Sequence, residues 1–223
     1  LSFEKGYYER PLLGAKNIPV RGGNRDYTVT VQNTDVLSID IDLSSPIDMG
    51  NLVVKPKQKG ETTITVKDNV TNETVDLKIK IVDSYLNLKV AHPAQVPYTG
   101  GENLFFINNS DRDFYLFDEK MEKKECTGNY QFLIKNSTCY MILNFDKELN
   151  DKRTYEYNIS NTSERMFTLI EILLGIDWNM KADLINRSTK SASPVTMNAV
   201  DTETNIIQYF VAGSNDIPEN ILD

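Results

Sequence analysis

The sequence predicts a mostly β protein, in which an N-terminal β-sandwich is followed by a second β-sandwich or partly closed barrel that carries one helix. Three observations support this class. Apolar and polar residues alternate with a period of two over most of the chain, turn-forming residues interrupt the alternation at short intervals, and a helical period occurs once, near residues 162–175. With 223 residues, of which 40% are hydrophobic, the chain is long enough for two domains.

The first domain, residues 1–83, contains six or seven short predicted strands. Residues 1–10 show no clear period and are interpreted as a tail or a first edge strand. Beyond them, aliphatic residues alternate with Thr, Ser, Asp and Lys, and no helical stretch intervenes, which favours two antiparallel sheets packed as a sandwich. Because Pro56 ends one run, that run is expected to be an edge or terminating strand. The alternating stretches are residues 18–20, 27–31, 37–43, 52–55, 62–66 and 75–81.

Two motifs in this domain carry a family resemblance. The first consists of Ile18-Pro19-Val20, Gly22-Gly23 and residues 27–31, and the second of Val53-Val54-Lys55-Pro56, Gly60 and residues 62–68, which end at Asp68. Their order and spacing resemble bacterial immunoglobulin-like (Big) domains over residues 11–83. The resemblance implies an immunoglobulin-like sandwich in an exported bacterial protein, often surface-attached, that serves as a spacer or an adhesive element. It implies no catalytic residues, and the long Asp-rich stretch at residues 37–43 departs from the family pattern.

Residues 84–103 are predicted to be a linker, because His92-Pro93, Val96-Pro97 and Gly100-Gly101 resist regular structure, although residues 84–90 also fit a strand. The second domain then covers residues 104–223. Its helix is expected to begin with Asn161 as N-cap and to end at Gly175, and it would either plug a barrel end or cover a sheet edge. The predicted strands are residues 104–107, 114–117, 130–134, 139–145, 155–159, 182–185, 195–200 and 205–211.

Composition excludes several classes of partner. The net charge is −8 and the pI about 4.8, which argues against nucleic-acid binding, because a basic face supplies most of that affinity. No apolar run approaches the roughly 20 residues that a membrane helix requires. The chain begins at Leu1 rather than Met, which we interpret as a trimmed or mature form with room for a lipid anchor upstream of Leu1.

The two cysteines, Cys126 and Cys139, flank one predicted hairpin whose turn lies near residues 135–138. This register places Cys139 opposite residues 132–134 rather than opposite Cys126, so two unpaired thiols are expected. The spacing fits no zinc site, and the only histidine, His92, lies in the predicted linker. The sequence also lacks nucleophile, metalloprotease and phosphate-loop motifs, so we expect neither an enzyme nor a cofactor.

Two weaker patterns indicate candidate binding residues. Aromatic residues crowd the predicted hairpin at residues 104–117, and an outward-facing aromatic ring beside Asn and Asp side chains is typical of a sugar site. The candidate ligand-binding residues are Phe105, Phe114, Tyr115 and Trp178. Clustered carboxylates suit calcium, and Asp40 and Asp42 share one strand face about 7 Å apart. The candidate metal ligands are Asp40, Asp42 and Asp48, with residues 108–113 as an alternative loop.

The sequence therefore predicts a non-catalytic surface or periplasmic bacterial protein, such as a lipoprotein, that acts as a structural, adhesive or ligand-binding module. Its partner is unidentified, and a glycan and a surface protein are the two candidates. A carbohydrate-binding or carbohydrate-processing accessory protein is one alternative. A lipocalin-like carrier is another, provided that the second domain closes around an apolar cavity.

Overall fold

Fifteen strands and one helix form the part of the chain that the structure, a computed structural model, describes, namely residues 1–178 and 195–222. The predicted mostly β class is therefore confirmed. The chain divides into two units, Leu1–Ser84 together with Glu219–Asp223, and Tyr85–Pro218. The strand-like stretch expected at residues 182–185 lies outside the described residues.

The first unit contains two sheets that share one core. A four-stranded sheet has the order β1-β7-β6-β3, with β1 and β7 parallel, and a three-stranded sheet has the order β2-β5-β4. Both contribute buried aliphatic residues, Ile64 and Ile79 from one sheet and Leu37 and Leu52 from the other. The strands are β1 (Tyr7–Pro11), β2 (Ile18–Pro19), β3 (Tyr27–Val31), β4 (Leu37–Asp42), β5 (Asn51–Pro56), β6 (Gly60–Asp68) and β7 (Thr74–Val82).

Two details of this unit refine the sequence prediction. The N-terminal residues form β1, an edge strand of the larger sheet. The strand that ends at Pro56 is central in its sheet rather than an edge strand, and the proline is tolerated because it is the last residue of β5. Glu219 and the residues after it also belong to this unit, where the Asn220 N–H donates to Glu9 Oε1 at 3.0 Å and Lys80 Nζ donates to the Leu222 carbonyl at 2.8 Å.

The second unit is a closed eight-stranded barrel with the order β10-β11-β12-β13-β14-β15-β8-β9. Of the two architectures that the sequence left open, the structure therefore contains a barrel, and a fully closed one. The predicted linker is in part a barrel strand, because residues 85–90 form β8. The elements are β8 (Tyr85–Val90), β9 (Asn103–Ile107), β10 (Asp113–Phe117), β11 (Lys124–Lys135), β12 (Thr138–Leu149), β13 (Lys152–Asn158), α1 (Glu164–Leu174), β14 (Thr196–Asp201) and β15 (Ile207–Ala212).

Aromatic side chains fill the barrel interior. Tyr98, from the loop between β8 and β9, packs edge-to-face on Phe210 at 5.6 Å and is 4% exposed. Burial raises the pKa of Tyr98 and of Tyr157, because the charged phenolates would be desolvated. The interior rings are those of Phe106, Phe114, Tyr130, Phe132, Phe145, Tyr155, Tyr157 and Phe210.

Helix α1 packs into the same core at the end of the barrel where β13 stops and β14 begins. Four of its side chains are buried there, namely Met166, Phe167, Ile170 and Leu174. The N-cap is Ser163 rather than Asn161, because the Ser163 hydroxyl accepts the Met166 N–H at 3.3 Å. Gly175 ends the helix in the left-handed conformation, as predicted. The Arg112 guanidinium donates to the Leu174 carbonyl and so places a cation at the C-terminus of the helix.

The hairpin between β11 and β12 has the predicted turn. Lys135 pairs with Thr138, and the two residues between them, Asn136 and Ser137, have positive φ angles of 49° and 62°. This is the arrangement of a type I′ turn. The register sets Cys139 opposite Ile134, and both cysteines are buried thiols that are not joined in a disulfide, as predicted.

Candidate ligand site on the outer face of the barrel

An open depression of about 480 Å³ lies on the outer face of β10, β11 and β12. Gly128 lines it at a point where two strands approach closely. A Cβ atom on Gly128 would lie 2.0 Å from the Asn144 carbonyl oxygen and 2.7 Å from Phe114 Cε1. Only glycine therefore fits here, which is typical of a strand interior where another backbone comes unusually near.

Polar side chains form two rows across this face. Asp113 pairs with Asn129, Asn129 with Asn144, and Asn144 with Thr154, so that one row crosses four strands at the same level. In the neighbouring row, Tyr115 pairs with Thr127. Side chains directly opposite each other in a sheet lie about 5 Å apart, which brings these groups within reach of one small ligand.

Both carboxylates in the depression already accept hydrogen bonds. Asp113 accepts from the Asn109 side-chain amide at 2.7 Å and from the Asn129 side-chain amide at 3.2 Å. Asp146 accepts from the Thr127 N–H at 3.2 Å and from the Thr127 hydroxyl at 3.0 Å. These bonds fix the positions of Asp113 and Asp146, and both oxygens of each carboxylate serve as acceptors.

The two asparagines are oriented by their neighbours and leave one group each for a ligand. Thr154 donates its hydroxyl to Asn144 Oδ1 at 2.9 Å, while Asn129 donates Nδ2 to the Asp111 carbonyl and to Asp113. Within residues 1–178 and 195–222, no hydrogen bond uses Asn144 Nδ2 or Asn129 Oδ1. The depression thus presents one oriented donor and one oriented acceptor on adjacent strands.

An aromatic ring and an ammonium group complete the depression. The Tyr115 ring is half-buried, and Lys124 Nζ lies 5.6 Å from its centroid. Lys124 makes no salt bridge with any residue in the described part of the chain. With two carboxylates and one ammonium, the groups around the depression carry an excess of negative charge.

The predicted aromatic site residues are only partly brought together. Phe114 belongs to the barrel core, although it also lines the depression beside Tyr115. Phe105 is paired with Tyr115 on the neighbouring strand and lies on the outer face. Phe105 is nevertheless fully buried, with the Tyr85 and Phe117 rings at 5.7 and 5.8 Å. Its ring is therefore covered rather than open to a ligand.

Trp178 lies away from this face. It is 5% exposed, its ring contacts Phe167 and Phe132 edge-to-face, and its indole N–H donates to the Phe167 carbonyl at 3.3 Å. Burial against the helix and the barrel core gives it a packing role. Of the four aromatic candidates, Tyr115 alone is not buried.

The predicted calcium ligands do not converge. Asp40 forms a salt bridge with Lys55, while Asp42 and Asp48 accept the N–H groups of Ser44 and Gly50 at 2.9 and 3.0 Å. Hydrogen bonds from Ser44 also lower the pKa of Asp42. In the described residues, no group of three or more His, Cys, Asp or Glu side chains could hold a metal ion. Each of the three aspartates instead has its own separate partner, and two of them lie within tight turns.

Five polar residues of the depression were missed by sequence reasoning. The predicted strands began at residue 130 and ended at residue 145, whereas β11 and β12 extend to Lys124 and Leu149. Counting back from the turn at residues 136–137 would have paired Asn129 with Asn144, and this register was the available signal. The missed residues are Lys124, Thr127, Asn129, Asn144 and Asp146.

The helix in the described residues, α1, has 11 residues and is not long enough to cross a membrane.

No family model and no curated protein matches this chain. Among solved structures, domains 5–6 of the S-layer protein SbsC are similar at 12% identity and a TM-score of 0.30, covering 70% of this chain and 88% of that one. Domains 4–9 of the surface layer protein SbsC are similar at 12% identity and a TM-score of 0.31, covering 95% of this chain and 30% of that one.

Proposed function

We propose that this chain is a non-catalytic module of an exported bacterial protein, located at the cell surface or in the periplasm. In this proposal the first unit is a Big-like, immunoglobulin-like spacer or adhesive element. The second unit is a barrel that presents a binding surface on its outer face.

The observation that carries the proposal is the contact between the two Big-like motifs. Asp68, at the end of the second motif, accepts the main-chain N–H of Asn24, which follows Gly22-Gly23 of the first motif, at 2.8 Å. Residues that are 44 positions apart in the sequence thus form one junction. Such a junction gives a physical reason for the two motifs to occur together, which supports the family resemblance.

The barrel interior favours a rigid scaffold over a carrier. A lipocalin-like carrier needs an apolar cavity inside the barrel. Here Phe106, Phe114 and Tyr157 are each at most 1% exposed. The Tyr98 and Phe210 rings pack edge-to-face at 5.6 Å. The described side chains fill the space that a lipid would occupy.

A carbohydrate-processing role receives less support than a binding role. Asp113 and Asp146 line one depression, as a pair of hydrolytic carboxyl groups would. However, glycoside hydrolysis requires one carboxyl group that donates a proton to the leaving oxygen. Both oxygens of Asp113 and of Asp146 already accept hydrogen bonds from neighbouring amide or hydroxyl groups, which favours the ionised form over a proton donor.

The test is the location of the protein in the bacterium that makes it. Intact cells would be treated with an external protease, and the chain would be followed with an antibody against the barrel. We expect removal of the chain from intact cells, or its release with the periplasmic fraction, while a cytoplasmic marker stays protected. Recovery of the chain only with the cytoplasmic marker would refute the proposal.

A further inference from the structure

The depression on β10, β11 and β12 contains features that point to one class of ligand. Its donor, Asn144 Nδ2, and its acceptor, Asn129 Oδ1, project from directly opposed positions of adjacent strands. A hydroxyl group both donates and accepts, so two hydroxyls of one sugar ring can satisfy this pair. An apolar ligand would leave both amide groups without partners, which costs free energy.

The Tyr115 ring adds a surface for the apolar part of such a ligand. A pyranose ring carries hydroxyl groups at its edge and C–H groups on its faces, and an aromatic ring beside amide groups matches both. Tyr115 lies one row away from the asparagine pair, since it is opposite Thr127 while Asp113 is opposite Asn129. The depression of about 480 Å³ lies within the range of small-molecule sites, about 300–1,000 Å³.

The net negative charge of the depression discriminates between anionic and uncharged saccharides. Asp113 and Asp146 face the depression with a single ammonium group, that of Lys124, so the local charge is negative. A uronic or sialic acid would be repelled by this excess, whereas an uncharged sugar would not. The fixed carboxylate oxygens can in addition accept hydrogen bonds from sugar hydroxyls.

We propose that this depression binds an uncharged saccharide. Asn144 donates to one hydroxyl, Asn129 accepts from a second hydroxyl, and the Tyr115 ring contacts the C–H face. The inference rests on the proposed function, because it names the ligand class of the outer barrel face. The inference commits to a glycan. A lack of saccharide binding in the test would refute it and would favour a protein partner instead.

The test is an NMR titration of the full chain with cellohexaose, maltohexaose and chitohexaose, and with hexagalacturonate as the anionic comparison. We expect at least one uncharged hexasaccharide to shift the side-chain amide signals of Asn129 and Asn144. Tyr115→Ala and Asn144→Ala should each weaken this binding about tenfold, the loss of one good contact. Tyr209→Ala is the matched control, because Tyr209 is 48% exposed on β15 and does not line the depression.

Three outcomes would overturn the inference: no shift with any uncharged hexasaccharide, tighter binding of hexagalacturonate, or equal effects of Tyr115→Ala and Tyr209→Ala. Should Tyr115→Ala fail to fold, Asn144→Ala carries the same comparison, since the Asn144 side chain is exposed. The outcome is separable from that of the proposed function. A chain that is exposed on cells but binds no saccharide refutes this inference alone, and a cytoplasmic chain that binds one refutes only the proposed location.

Discussion

Asp68 and Asn24 are joined by two hydrogen bonds, because Asp68 Oδ2 accepts both the main-chain N–H and the side-chain amide of Asn24, at 2.8 and 3.0 Å. The other oxygen of Asp68 accepts the N–H groups of Val70 and Thr71 at 2.9 and 3.2 Å. Burial acts to raise the pKa of Asp68, but these hydrogen bonds outweigh it and hold the pKa below its ordinary value. One carboxylate thus organises two turns of the first unit.

Asp68→Ala should therefore destabilise the first unit, because four donors lose their acceptor in a buried position. The expected result is faster hydrogen exchange throughout β3, β6 and β7, together with a lower melting temperature. Asp76→Ala is the matched control, since Asp76 is an exposed aspartate that accepts one hydroxyl, from Thr65. Equal effects of the two substitutions would contradict a structural role for Asp68.

Gly128→Ala should prevent normal closure of the barrel between β11 and β12. The added Cβ would meet the Asn144 carbonyl oxygen at 2.0 Å, and main-chain atoms cannot move aside without breaking the strand pairing. We expect a loss of roughly 3 kcal/mol or more in the free energy of unfolding. Trp178 is the only tryptophan and is buried in this unit, so its fluorescence during urea unfolding measures the effect.

Gly6→Ala is the control for this substitution, because a Cβ atom on Gly6 would meet nothing within 4 Å. It should leave the urea midpoint of the Trp178 signal unchanged. If Gly128→Ala unfolded at the same urea concentration as Gly6→Ala, the close strand approach would not be required for the fold.

Protonation of Glu102 should make the barrel less stable in acid. Its carboxylate accepts the Thr99 N–H and hydroxyl at 2.6 Å each and the Gly100 N–H at 2.7 Å. Burial acts to raise the pKa of Glu102, but these hydrogen bonds outweigh it and hold the pKa below its ordinary value. The folded state then binds fewer protons than the unfolded state. The stabilisation is therefore fully present at pH values well above the ordinary pKa of a glutamate and is lost as the pH falls through the lowered pKa.

Glu102→Gln should cost about 1 kcal/mol of unfolding free energy at neutral pH and less at about pH 3. The measurement is urea unfolding followed by Trp178 fluorescence at both pH values. Glu119→Gln is the matched control, because Glu119 is 60% exposed and its ion pair is with Lys89. A loss that stayed constant with pH would show that the Glu102 charge is not involved.

Cys126 and Cys139 should resist thiol reagents in the folded protein. Both are buried, and burial, followed by the charge of Asp146, raises the pKa of Cys126 to about 12. Little thiolate is therefore present at mildly alkaline pH. We expect labelling by iodoacetamide to follow the rate of unfolding and to accelerate in urea. Rapid labelling of both thiols in native buffer would contradict the buried positions.

Alternation and turn chemistry in the sequence were sufficient to predict most of the local structure. The alternating stretch at residues 27–31 became β3, and Asn136-Ser137 formed the expected turn. The closed barrel could not be predicted, because closure depends on pairing between strands far apart in sequence. Phe210 of β15 pairs with Val90 of β8, and no local pattern encodes that contact.

The candidate site was likewise predictable from the sequence only in part. Tyr115 was identified from its residue type and its position beside polar residues. Phe105 was expected to be a ligand contact from the same pattern, but the rings of Tyr85 and Phe117 cover it. The burial of Phe105 depends on side chains from three strands, β8, β9 and β10, and therefore on the tertiary structure. Asn144 was missed for a different reason, because Asn129, the residue opposite it, lies outside the strand that was predicted to begin at residue 130.

The return of the last residues to the first unit has a consequence for protein synthesis. Residues 85–218 are inserted into the first unit, because Glu219 and Asn220 contact Lys5 and Glu9 near the N-terminus. A ribosome makes the chain from its N-terminus, so Glu9 receives the Asn220 N–H only after the whole barrel has been translated. The barrel can close while the first unit still lacks these contacts. The first unit, whose first residues emerge earliest, therefore cannot complete its native hydrogen bonding until residues 219–222 have been made.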